Sequence, residues 1–143
     1  MMLVQTYVAP SQIEGVGIFA AQPIKAGQEI WRFDPVFERV FTTEELVRLS
    51  PVQRDYVERY GYSHMDDRSL LVIETDNGRF MNHSERPNTD FTRSDIAFAI
   101  VDIAEGTEIT CDYGEFEPAY CMQPGRQFTS PSLSNGQIYT SIG

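Results

Sequence analysis

The sequence predicts an α+β domain in which short strands dominate. Three observations lead there. Apolar runs at Val16–Ala20, Ile96–Ile103 and Glu108–Tyr113 are short and rich in Val, Ile and Phe, as strands are. Turn signals such as Asp76-Asn77-Gly78 and Ala104-Glu105-Gly106 separate β-type runs. Helix-start signals are confined to one stretch, Thr42 to Tyr60. A chain of 143 residues suits one domain with a sizeable core.

In chain order, Val4–Val8 is expected as an edge strand and Val16–Ala20 as a buried one. Gly27 closes a turn, and Glu29–Phe33 alternates as a strand until Asp34-Pro35 breaks it. Thr42 with Glu45 forms a capping box, and Ser50, Pro51 and Gln53 repeat the pattern, so two short helices follow. Val52, Tyr56 and Tyr60 recur every four residues along the second, and Gly61 stops it. Ser69–Thr75 reads as a strand ending in the reverse turn at Asp76-Asn77-Gly78. After Pro118 the composition changes, and Gln123–Gly143 carries one charge, Arg126, among Ser, Thr, Gln, Gly and Pro. The expected organisation is a domain over residues 1–116, with a helical insert at about 42–61, and a C-terminal lid or mobile tail over 117–143.

The net charge of -10 argues against a nucleic-acid backbone as ligand and suits a basic partner. No apolar stretch approaches the roughly 18–20 residues of a membrane span, and no signal peptide is visible. Cys111 and Cys121, with His64 and His83, are too few for a structural zinc site, so no metal is expected. A reducing, cytoplasmic compartment is the expectation.

The segment Arg79-Phe80-Met81-Asn82-His83-Ser84-Glu85-Arg86-Pro87-Asn88 has neither strand nor helix periodicity. It reads as a buried irregular polar stretch whose side chains need partners. Glu108-Ile109-Thr110-Cys111-Asp112-Tyr113-Gly114 is the expected partner. Upstream, Gly15-Val16-Gly17 opens an apolar run and permits close backbone approach by a ligand, but it lacks the third glycine of a dinucleotide fingerprint.

In this order and spacing the three segments resemble the SET-domain protein lysine methyltransferases. The resemblance covers about Ser11 to Phe116 and implies a small free-standing form without a cysteine-rich segment after the domain. It also implies a fold of small curved sheets, with the Asn-His-Ser and Asp-Tyr segments threaded as a pseudoknot. S-adenosylmethionine would be the methyl donor and a lysine in a basic protein, such as a histone, the acceptor. Gly15, Val16, Gly17, Arg79, Asn82 and His83 would line the cofactor pocket, and Phe116 would flank the adenine. Tyr113 would be catalytic, standing where donor and lysine meet. Phe33, Phe91 and Cys111 would line the lysine channel, at positions where family members often carry a tyrosine or another aromatic. Glu85 stands where many histone-directed members have cysteine. Neither direct nucleic-acid binding nor a membrane role is implied, and a homodimer is allowed. The competing reading is a SET-like module that binds peptide or cofactor without turnover.

Overall fold

The computed structural model describes residues 1–117, so most of the expected lid or tail, Cys121 included, lies outside the described residues. Ten short strands and two helices follow in order: β1 (Thr6–Pro10), β2 (Val16–Ala20), β3 (Glu29–Arg32), β4 (Glu38–Phe41), α1 (Thr43–Val47), α2 (Pro51–Tyr60), β5 (Tyr62–Ser63), β6 (Leu71–Glu74), β7 (Asn82–His83), β8 (Thr89–Asp90), β9 (Ile96–Ala99) and β10 (Glu108–Cys111). They form three small sheets, ordered β1-β2-β10-β7, β3-β9-β8 and β4-β6-β5. The fold is therefore α+β and β-dominant.

The main core is buried among these strands and includes Ile18, Ile24, Ile30, Ile103 and Ile109, each almost fully enclosed. A smaller core of Leu46, Val57, Leu71 and Ile73 lies where the helices meet β6. Both helices start as their residues dictate. Thr42 and Ser50 each accept a backbone N–H three residues on, and Glu45 and Gln53 bond back to the cap.

The polar segment after Phe80 finds the partner that its composition calls for. Asn82 and His83 pair in parallel with Thr110 and Cys111. The Asn88 side chain then donates to the Glu108 carbonyl (2.8 Å) and accepts from the Thr110 N–H (2.9 Å). The Thr89 hydroxyl donates to the Thr110 carbonyl at 2.7 Å. Residues 82–89 thus hold β10 through both backbone and side chains, which satisfies groups that would otherwise be buried unpaired.

Several expectations are corrected. The strand begun at Glu108 ends at Cys111, because the Asp112 carboxylate accepts the Gly114 N–H and caps a 3-10 turn over Tyr113–Glu115. The reverse turn expected at Asp76-Asn77-Gly78 takes the form of a 3-10 turn over Asn77–Phe80, capped by Asp76. The run from Ile96 leaves its sheet after Ala99, and Ile100 and Val101 are half exposed. The first strand starts at Thr6 rather than Val4. The Val52–Tyr56 face of α2 is exposed, at 80% and 46%, whereas Val57 is buried. The contact with β6 decides which face packs, and a four-residue repeat in a short helix does not. Strands β4, β5 and β8 have no strong sequence signal, being two to four residues long and held by their neighbours.

Candidate active site

Trp31 and Phe33 lie two apart at the end of β3 and both line one cavity. Tyr62 of β5 and His64, again two apart, join them with Met81, Phe91, Cys111, Tyr113 and Phe116. The space is about 70 Å³, well below the roughly 300–1,000 Å³ of a pocket that envelops a drug-sized ligand. It suits an unbranched side chain.

Aromatic contacts fix the walls. Phe91 packs on Trp31 with ring centres 5.4 Å apart and on Phe116 at 6.0 Å. Phe116 also meets Tyr113 at 5.8 Å and Tyr62 at 5.6 Å. His64 stands edge-on to Phe33 at 5.2 Å, and its Nδ1 accepts the N–H groups of Asp66 and Asp67. That leaves Nε2 to carry the proton of the neutral ring. The Glu115 carboxylate accepts the Phe91 N–H at 2.7 Å and ties that wall to the turn after Asp112.

Tyr113 is buried, and its hydroxyl donates to the Met81 carbonyl at 2.6 Å. Its backbone N–H donates to His83 Nδ1 at 3.0 Å, and the two rings lie 5.3 Å apart. Burial holds the His83 pKa below its ordinary value, with Asp112 and Glu85 opposing, so the imidazole stays neutral and able to accept that bond. Cys111 is fully enclosed. Burial, reinforced by Glu115 and Asp112, pushes its thiol pKa well up and keeps it protonated.

On the other side of the Asn82–His83 ladder lies the glycine segment. Asn82 Nδ2 donates to the Val16 carbonyl (3.0 Å), the Glu14 carbonyl (3.3 Å) and Glu108 Oε1 (2.8 Å). The Ser11 hydroxyl reaches the same Glu108 carboxylate at 2.8 and 2.9 Å. A Cβ at Gly17 would come within 2.1 Å of that held Glu108 oxygen, so only glycine fits there. Gly15 has φ +49°, with open space where a Cβ would point, and Val16 is 42% exposed.

Two half-sites therefore meet. The Gly15–Gly17 segment is joined to Asn82 through the Glu14 and Val16 carbonyls, and Tyr113 is joined to His83, the residue after Asn82. Phe33, Phe91, Cys111, Tyr113, Phe116 and Arg79 come together on the cavity, not on the glycine side. Arg79 places its guanidinium 4.6 Å over the Phe80 ring. Cys111 and Tyr113 share the cavity although the strand ends between them. Trp31, Tyr62, His64 and Glu74 line it too and were not singled out from the sequence. The signal for three of them was the two-residue spacing from Trp31 to Phe33 and from Tyr62 to His64.

The SET domain family model matches residues 15–114. The chain belongs to the SET-domain family. Its interlocked residues 82–89 and β10 are the pseudoknot of that fold. A humanised Chaetomium thermophilum Polycomb Repressive Complex 2 mutant bound to an inhibitor is similar at TM-score 0.58 and 22% identity, covering 79% of this chain and 15% of that one. The Chaetomium complex bound to S-adenosylmethionine is similar at TM-score 0.58, 21% identity and the same coverage. A proposed histone methyltransferase of Plasmodium falciparum is similar at TM-score 0.55 and 23% identity, covering 79% of this SET-domain chain and 96% of that one. At these identities the likeness is one of fold, and the chain spans about 15% of the length of the Polycomb chains. No curated protein sequence matches the chain. Among the described residues no cluster of His, Cys, Asp and Glu could hold a metal, and no helix is long and apolar enough to cross a membrane.

Proposed function

We propose that this SET domain transfers a methyl group from S-adenosylmethionine to the side-chain amine of a lysine in a basic protein, such as a histone. The observation that carries the reading is the continuous link from an open glycine segment, through Asn82 and His83, to a narrow aromatic cavity at Tyr113. Family membership and a fold shared with methyltransferases support it.

The residues present fit the cofactor. Gly15 and Val16 are exposed, with open space beside Gly15, and Asn82 fixes that backbone against β10. When bound, S-adenosylmethionine supplies a methyl carbon open to attack by a neutral amine. The chain's own residues do the rest. A lysine amine in water loses its proton only at about pH 10.4. Apolar walls at Phe33, Phe91 and Cys111 disfavour the ammonium and so favour the neutral amine. The Tyr113 hydroxyl commits its proton to Met81, so its oxygen meets the amine as an acceptor and orients it. Narrowness aligns the chain for an in-line displacement.

Phe33, Phe91 and Cys111 bring no hydroxyl to hold a water beside the amine. The proposed products are therefore di- and trimethyl-lysine, with Cys111→Tyr shifting them toward monomethyl-lysine.

Thermal unfolding with the cofactor tests the reading. S-adenosylmethionine should raise the Tm, since a ligand specific to the native state stabilises it. Asn82→Ala should lose most of that rise. An unchanged melting curve at millimolar cofactor would overturn the proposal.

A further inference from the structure

Glu74, the last residue of β6, puts a carboxylate on the wall of the Tyr113 cavity, with its side chain only 7% exposed. Oε1 accepts the Trp31 indole N–H at 2.9 Å and the Tyr62 hydroxyl at 3.0 Å. Oε2 faces the Met1 ammonium at 3.2 Å. Glu38 of β4 pairs with the same ammonium, and Asp76, two residues beyond Glu74, accepts the Met2 N–H. Two carboxylates thus pair with one cation, and a third is held by the next residue's N–H. Among the described residues lining the cavity, Glu74 is the only acidic one. Burial is the main cause that raises its pKa to about 7, with Glu38 and Asp76 adding to the rise and the ammonium opposing it.

A lysine entering between Phe33, Phe91 and Cys111 loses the water around its charge, and a buried charge without a partner is costly. Among the described residues of the wall, Glu74 carries the one negative charge able to offset that cost, against the positive charges of Arg79 and Arg93 on the same cavity. Resting on the lysine reading above, we propose that Glu74, held by Tyr62 and Trp31, receives the target side chain as a cation and selects a charged amine over an uncharged chain of the same shape. Recognition and reaction make opposed demands here. A fully ionised carboxylate would keep the amine protonated, and one that itself takes a proton near neutrality relaxes that hold.

The test is isothermal titration of a capped peptide with one central lysine, and of its norleucine counterpart, at pH 8. In Glu74→Gln the ratio of lysine to norleucine affinity should fall about tenfold or more, the loss expected for a charge-assisted contact. Norleucine affinity itself should change little. Gln keeps an oxygen for Trp31 and Tyr62, and Glu74→Met, of similar size, carries the test if Gln does not fold. Lowering the pH to 6 should reduce the ratio in wild type more than in the variant. The other charged or titratable groups around Glu74 are His64, Arg79 and Arg93 on the cavity wall, with Glu38, Asp76, Tyr62 and the Met1 ammonium, and all remain in the variant. An equal ratio in wild type and variant would overturn the role of Glu74 alone. Failure of both peptides to bind wild type would overturn it together with the lysine reading.

Discussion

The cavity at Tyr113 draws its walls from segments spread between Trp31 and Phe116, whereas the helical insert is a local structure with two reciprocal caps and a four-residue core. Each responds to a different kind of change. The insert depends on a few contacts with β6, and its outer face carries Val47 and Val52 into solvent. The cavity depends on groups that hold one another across long sequence separations, such as Tyr113 with Met81 and Trp31 with Glu74. Apart from Tyr60, the last residue of α2, which lines the cavity, a change in the insert should lower stability and leave the chemistry of the folded protein alone, whereas a change in the cavity should alter both.

Leu46→Ala should give the largest loss of stability, about 2–5 kcal/mol in denaturant unfolding, because it empties the small core. Cofactor binding per folded molecule should stay at the wild-type level, and a lost cofactor response in folded protein would break the comparison.

Next comes Glu74. Its folded pKa, about 7, is raised above the usual carboxylate value, so its contribution to stability is present below about pH 4.5 and lost as pH rises through 7. A rise of that size corresponds to about 3 kcal/mol. Stability relative to Glu74→Gln should therefore fall by an amount of that order between pH 4.5 and pH 8, read from urea unfolding at each pH. A constant difference would show that Glu74 does not carry a raised pKa in the folded state.

Ser50→Ala removes the cap of α2 and should cost about 0.5–2 kcal/mol. Val52→Ala, on the exposed face, should stay within about 0.5 kcal/mol. If Val52 mattered more than Ser50, the packed face of α2 would have to be redrawn.

The caps of α1 and α2 were legible because they are written within four consecutive residues. The face of α2 was not, because β6 selects it from a distance. The Asn82–His83 segment announced a need for partners through its polarity, and the spacing to Tyr113 pointed to β10. The pairing of Tyr62 and Trp31 with Glu74 was invisible, since a Glu ending an apolar strand gives no sign of facing inward. The three-residue turn at Tyr113 was likewise masked by the strand pattern before it, yet it still leaves Cys111 and Tyr113 on one cavity.

Radiolabelled methyl transfer from S-adenosylmethionine to mixed histones and to cell lysate, with wild type beside Tyr113→Phe, tests the central claim most directly. Wild type should label lysine side chains in a basic protein. Tyr113→Phe should lose at least about a hundredfold in rate, the scale seen when one preorganised polar contact at a reacting centre is removed, while remaining folded and still stabilised by the cofactor. Absence of label with wild type, or equal labelling by the two proteins, would contradict the account.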